Sequence, residues 1–164
     1  MRDLTPLTLA DFDTAPVRFA TTHAFPASPD AVFEELTDPS RWLPIVRRSV
    51  WYSSATGGVG AERQVDIVAY GTFRERMLVW EPGRRMTFTM TATTSPLVAQ
   101  LGEDFILERD GDGTRLTWRV AARATALGRP LAPLLRATLR LNAVLGERGL
   151  RKRTASTIEH RTVA

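Results

Sequence analysis

A strand that runs from Val17 to Phe25, stops at Pro26 and is followed by two proline-marked helix starts restricts this fold more than any other feature of the chain. Ser28-Pro29-Asp30 sets a hydroxyl N-cap, a proline at the first helical position, where its missing N–H costs nothing, and an acid in the first turn. Asp38-Pro39 repeats the signal and predicts a second short helix through Trp42. Beyond Trp42 the chain reads as strand and turn, until one Leu- and Arg-striped helix closes it. The order β-αα-β(many)-α predicts an α+β architecture, a curved antiparallel sheet gripping one long helix. Such a layout encloses a pocket between sheet and helix.

The strands are read from alternation. One is expected over Ile45–Ser53, followed by a turn at 54–58. Over Ala61–Ala69, Arg63, Val65, Ile67 and Ala69 share one face. Tyr70-Gly71 marks a hairpin, Thr72–Trp80 the next strand, and Glu81-Pro82-Gly83-Arg84 a turn. Two phases fit Thr72–Trp80: Phe73, Glu75, Met77 and Val79 inward, or Arg74, Arg76, Leu78 and Trp80. Met86, Phe88 and Met90 alternate with threonines. A strand after Ser95-Pro96 runs to about Glu108 with an interruption at Gly102. Asp110-Gly111-Asp112-Gly113 is a hairpin turn, and Thr114, Leu116, Trp118 and Val120 form one face of the last strand.

In the closing helix, Arg129, Arg136, Arg140, Glu147 and Arg151 fall together at ~100° per residue. Leu131, Leu134, Leu135, Thr138, Leu141, Asn142, Leu145 and Gly149 fall on the other side, the expected buried stripe. Pro130 and Pro133 sit in the opening turn, and the pattern decays after Gly149. Gly146 and Gly149 would permit a bend or a close approach of the sheet. Residues 1–16 read as an N-terminal arm, 17–153 as one domain and 154–164 as a C-terminal tail.

Composition removes several classes of function. The chain has 164 residues and no cysteine, which excludes disulfides, thiol nucleophiles and Cys-based metal sites. No apolar run approaches the ~20 residues that span a bilayer, and Asp3, Asp11 and Asp13 break any signal-peptide pattern, so a cytoplasmic protein is expected. The basic excess is nearly all arginine. From Gly128 onward, eight Arg and Lys face only Glu147 and Glu159, an excess larger than the net charge of +4. That stripe is either a solvated helix face or a docking surface for an acidic protein partner or an anionic membrane surface. It lacks interleaved aromatics and any DNA-reading motif, so no nucleic acid is expected.

Segment 17–42, VRFATTHAFPASPDAVFEELTDPSRW, resembles the opening of START-like proteins (the SRPBCC superfamily), in particular the polyketide cyclase/dehydrase-like branch. The likeness continues in VGAERQV, RERMLVWEPGRRMTF, GDGTRLTW and the long last helix, covering about 17–153. The resemblance implies the helix-grip fold, with a cavity between sheet and helix, and binding of lipids, sterols, polyketides or other hydrophobic small molecules. Some members are cyclases or aromatases. Fold is carried over by such a likeness better than function.

Catalytic machinery is sparse. His160 lies in the tail, and His23, near the end of the first strand, reads as a rim histidine or a catalytic one. GGVG at 57–60 and DGDG at 110–113 lack the remaining residues of phosphate and calcium loops, and neither a metal nor a cofactor is expected. A three-residue connection at Ala69-Tyr70-Gly71 would set Val65 opposite Glu75 with Arg63 diagonal to it. Arg63 and Glu75 then form a register-fixing salt bridge, orient a ligand, or do acid–base work. The expected walls of the pocket are Trp42, Phe88, Met90, Phe105, Leu107, Trp118, Leu135, Thr138, Asn142 and Leu145. Asn142 stands out as a polar group on the apolar stripe. The leading expectation is binding of a hydrophobic, polyketide- or lipid-like molecule. The alternatives are a polyketide cyclase or aromatase, in which Arg63, Glu75, Asn142 or His23 polarises a carbonyl or moves a proton, and a protein-interaction module docking through the basic helix.

Overall fold

The structure, a computed structural model, describes residues 1–52 and 56–162, the side chains of 156–162 excepted. Part of the turn expected at 54–58, and the side chains of Glu159, His160 and Arg161, lie outside the described residues. Strand β1 (Arg2–Asp3) and helix α1 (Asp11–Thr14) precede β2 (Val17–Phe25). Helix α2 (Pro29–Leu36) starts where the sequence sets its cap, with Ser28 Oγ accepting from the Ala31 N–H. The second helix is a single 3-10 turn, Pro39–Arg41, with Asp38 Oδ1 accepting from the Ser40 N–H. Then come β3 (Val46–Trp51), β4 (Glu62–Ile67), β5 (Gly71–Glu81), β6 (Arg85–Thr93), β7 (Val98–Asp110) and β8 (Gly113–Ala124). A 3-10 turn, Arg129–Leu131, leads into α3 (Ala132–Thr162). No helix among the described residues is long and apolar enough to cross a membrane.

All strand pairs are antiparallel, in the order β2-β8-β7-β6-β5-β4-β3, with β1 added to β6. Strand β2 therefore pairs with the last strand, β8, and α3 lies across the inner face of the sheet. Residues 1–16 cross the outer face. Leu7 donates its N–H to Thr89 Oγ1, and Leu7, Phe12 and Ala15 pack on Ala121. Arg119 bridges Asp13 of the arm and the fully buried Asp104, which also accepts from Arg85 and Thr87. Gly102 does not interrupt β7. A Cβ there would stand 2.9 Å from the Phe88 carbonyl oxygen and 3.2 Å from Leu7 and Phe12, so the glycine makes room for the arm.

Register differs from the expectation by one pair. The β4–β5 loop is Val68-Ala69-Tyr70, which sets Ile67 opposite Gly71, Val65 opposite Phe73, and Arg63 directly opposite Glu75 rather than diagonal to it. Ala69 takes a left-handed φ of 64° to make this loop. Of the two phases for β5, the one with Phe73, Glu75 and Met77 inward is adopted. An irregularity between Met77 and Val79 shifts the strand, and Trp80 beyond it packs edge-on against Phe33 of α2 and Trp51 of β3.

Helix α3 is rotated from its expected phase. Its core face is Leu139, Ala143 and Leu150, with Leu135 half-buried, whereas Leu131, Leu134 and Leu141 are 43%, 59% and 57% exposed. Close approach decides the rotation. A Cβ at Gly149 would lie 1.7 Å from the Trp42 carbonyl oxygen, and one at Gly146 would lie 2.9 Å from both Trp42 and Trp118. The two glycines let the helix sit down on the Trp42 segment, with Gly146 on the same side as Leu139, Ala143 and Leu150, which goes in, while the leucines at the far edge of the expected stripe stay out. The helix also does not end or leave the core after Gly149, for Leu150 and Thr154 are buried. The arginine stripe lies along β2, where Arg140 covers the Phe19 ring and Arg151 the Phe25 ring. Leu139→Ala should destabilise the fold by about 2–5 kcal/mol, while Leu134→Ala stays within about 0.5 kcal/mol. Urea denaturation of the two variants measures both, and equal costs would contradict this helix phase.

Candidate functional site

The space between α3 and the sheet has two compartments. An inner crevice of about 50 Å³ is walled by Trp42, Val65, Phe73, Phe88, Met90, Phe105, Trp118 and Leu139, with Arg63, Glu75, Glu103 and Asn142 as its polar members. An outer chamber of about 260 Å³ is walled by Leu97, Val98, Leu131, Leu134, Leu135 and Thr138. Tyr70, at the tip of the β4–β5 loop, borders both. Alternation places the inner residues: Phe73 and Glu75 on β5, Phe88 and Met90 on β6, Glu103 and Phe105 on β7, and Trp118 on β8. The rings of Trp42, Trp118, Phe105 and Phe88 touch in series, at centroid distances of 5.9, 4.9 and 6.1 Å.

The expected wall residues divide between the compartments. Trp42, Arg63, Glu75, Phe88, Met90, Phe105, Trp118 and Asn142 meet at the crevice, and Leu135 and Thr138 at the chamber. The Thr138 hydroxyl is already bonded back to the Leu134 and Leu135 carbonyls, 3.0 Å each. Three residues fall elsewhere. Leu107 is core, off the walls of both compartments. Leu145, turned by the helix phase, faces a surface groove beside Arg41 and Arg148. His23 sits on β2 opposite Leu116, outside both compartments, with its Nε2 buried and, among the described residues, without a hydrogen-bond partner.

Arg63 is 2% exposed, with two of its three guanidinium nitrogens bonded within the wall. Its Nε donates to Glu75 Oε2 at 2.5 Å, and its Nη1 donates to the carbonyls of Thr37 (2.8 Å) and Leu36 (3.5 Å) at the end of α2. The guanidinium lies over the Trp51 and Phe88 rings, 5.5 and 5.1 Å from their centroids. It thus satisfies terminal helix carbonyls, neutralises a buried carboxylate and fills space.

Glu103 is the site residue that the sequence reading missed. It stands next to Phe105 on the inward face of β7, and its Oε2 accepts from the Trp118 indole N–H at 3.1 Å. The surface it keeps faces the crevice. Burial, reinforced by the negative Glu75 nearby and only partly opposed by Arg63 and the Trp118 bond, pushes its carboxyl from 4.5 to about 8. Burial raises Glu75 as well, against the pull of Arg63. Two carboxyls thus share one permanent cation. Arg63 cannot give up its charge, so its bonded partner Glu75 is the carboxylate and Glu103 holds the proton at neutral pH. The combination places a hydrogen-bond donor, an ion pair and an amide (Asn142) on the walls of an otherwise apolar space.

Residues 16–154 match the family described as polyketide cyclase/dehydrase and lipid transport. The chain belongs to this family. Uncharacterized proteins of Mycobacterium bovis and Mycobacterium tuberculosis are 30% identical to it over 145 residues, 87% of this chain and of each relative. The fold is that of the Zhui aromatase/cyclase from Streptomyces sp. R1128, with a TM-score of 0.74 at 17% identity over 86% of this chain and 94% of the other. A START superfamily protein from Mycobacterium smegmatis gives 0.73 at 13% identity, over 85% and 98%. The chain also matches about half of the di-domain aromatase/cyclase StfQ of steffimycin biosynthesis, with a TM-score of 0.74 at 15% identity over 92% of this chain and 55% of that one. The architecture is therefore the START-like helix grip.

Glu103 gives stability a definite pH dependence. Its folded value lies above its unfolded one, so its contribution is complete below about 4.5 and is lost as pH rises through about 8. Glu103→Gln should therefore be more stable than the parent at pH 7, and its stability should decline less between those two values. Urea melts across that range test the sign; a Gln variant less stable at neutral pH would mean that Glu103 is ionised in the folded protein.

Proposed function

We propose that the protein binds a hydrophobic small molecule between α3 and the sheet, with the body of the ligand in the outer chamber and one small group reaching past Tyr70 into the crevice. The observation that carries this reading is the pairing of an apolar chamber with a crevice whose polar groups are few and convergent. Size supports the division. Drug-sized ligands need roughly 300 Å³ or more, which the crevice alone lacks and which the two spaces together approach. Nile red, a neutral environment-sensitive dye, should bind saturably at a single site. Leu135→Trp and Asn142→Trp, which fill the chamber and the crevice, should each lower that affinity at least about tenfold while the fold is kept. Dye binding unchanged in both folded variants would place the site elsewhere.

A catalytic reading has one observation in its favour. The two carboxyls on one wall differ in environment, one paired with Arg63 and one protonated, as proton transfer during cyclisation or dehydration of a polyketide-like substrate requires. Turnover of a model poly-carbonyl chain that is lost in Glu103→Gln would favour it over binding alone.

The rotated helix bears on where the ligand comes from. Leu131 and Leu134 are exposed at the chamber, and Leu141 and Val144 are exposed farther along the helix, with Arg148 exposed on the same side. We infer that this face meets an anionic membrane surface, where leucines insert and arginines find phosphates. This is a different surface from the arginine stripe alone, much of which packs on β2. Flotation with vesicles containing phosphatidylglycerol should recover the protein, and neutral vesicles should recover less. A Leu134→Asp, Leu141→Asp double variant should lose binding to both. Equal recovery of that variant would leave the exposed leucines without this role.

A further inference from the structure

The polar end of the cavity is specific about the chemistry it can meet. Arg63 is largely committed: its Nε is bonded to Glu75, its Nη1 to the carbonyls at the end of α2, and the Trp51 and Phe88 rings lie on it. Glu103 is different. One oxygen takes the Trp118 N–H, while Oε1 is hydrogen-bonded to no described residue, and the residue lines the crevice. The ionisable groups around it are Glu75, Arg63 and, at the outer end, Tyr70, while β6, β8 and α3 present Phe88, Trp118 and Asn142. A second ionised carboxyl here would face Glu75 with no cation of its own, so the stable form of this wall carries a proton on Glu103, aimed at whatever enters.

We propose that Glu103 is the polar contact of the ligand, donating a hydrogen bond from its carboxyl to the carbonyl oxygen of a neutral, otherwise apolar molecule, and that the Glu75–Glu103 wall turns away ligands that end in a carboxylate. The inference rests on the ligand-binding reading of the cavity. A carbonyl oxygen is small enough for a crevice of about 50 Å³ and brings the acceptor that a protonated carboxyl lacks. A carboxylate would have to lose its hydration beside Glu75, whose charge already occupies the one guanidinium. A fatty acid is thus a poor ligand for this protein, whereas its ketone or ester counterpart is a good one.

The test uses four naphthalenes that share one ring body: 2-ethylnaphthalene, 2-acetylnaphthalene, 2-naphthoate and 2-(aminomethyl)naphthalene, each displacing Nile red from the full-length protein. At about pH 6 the ketone should bind roughly tenfold tighter than the ethyl compound and tighter still than the carboxylate. Glu103→Leu should abolish the ketone preference, read as the ratio of ketone to ethyl-compound affinity, and Glu103→Gln, which keeps an N–H donor, should retain it. Raising the pH to about 9 should erase the ketone preference in the parent, because Glu103 ionises near 8, and leave Glu103→Gln flat. Equal binding of ketone and carboxylate by the parent overturns the proposal, and so does a ketone preference that survives Glu103→Leu. An amine that binds tightest overturns it in favour of a cation site. If the ethyl compound binds but no preference is seen, only this inference falls. If neither it nor Nile red binds, the ligand-binding reading falls with it.

Discussion

The Arg63–Glu75 pair is the constraint around which the inner half of this molecule is arranged. A guanidinium that is 2% exposed needs its charge and its donors met inside, since leaving one partner of a buried pair unmatched costs about 3–5 kcal/mol. Three elements meet it together: β5 supplies the carboxylate, the end of α2 supplies carbonyls, and Trp51 and Phe88 supply ring faces. The short helix after β2 is thereby tied to the middle of the sheet, and the direct pairing of Arg63 with Glu75 fixes the β4–β5 register. Glu35 on the same helix does the complementary work, accepting from Arg41 and from Arg153 of α3. The helix–turn segment thus bridges the sheet and the closing helix through charged groups.

The same pair shapes the chemistry of the cavity. Because Glu75 is committed to Arg63, the next acid on the wall has no cation left, and the medium around it is apolar. Burial first, and the negative charge of Glu75 second, hold the proton on Glu103, while Arg63 and the Trp118 N–H act in the opposite direction.

Much of this was legible in the sequence, and the failures have identifiable causes. The caps at Ser28 and Asp38, the strand Val17–Phe25 and the Asp110–Gly113 hairpin are local signals carried by single residues, and the structure forms each where expected. The helix phase failed because α3 has more apolar residues than one face can hold, and the largest leucine stripe is not the buried one. The deciding residues were Gly146 and Gly149, whose lack of a side chain matters only once Trp42 lies against them. Glu103 alternates with Phe105 and Leu107, both expected on the pocket wall, and a single acid on that apolar face marks a functional position. The value of Gly102 lies in the arm crossing the outer face, a contact from the far end of the chain that no local pattern carries.

The route by which a ligand would reach that wall is set by how unevenly α3 is held. Its second half is fixed by close backbone approach at Gly149, by the glycine seat of Gly146 on two tryptophans, and by Arg153 on Glu35. Its first half, from Ala132 to about Leu141, has Leu139 in the core and Leu134 and Leu141 in solvent, and beneath it lies the chamber. A helix with one buried leucine in its first turns has little apolar area to lose on lifting, whereas the second half would have to break packing at every turn. Opposite the loose half stands the Val68-Ala69-Tyr70 loop, with Ala69 in a conformation that L-residues adopt at a cost. On the ligand-binding reading, admission belongs to these two segments, one on each side of the chamber. On that reading the second half of the helix would keep Trp42 and Trp118 in place, and a selective wall and a tolerant entrance would both follow from one helix, tightly packed at one end and loosely at the other.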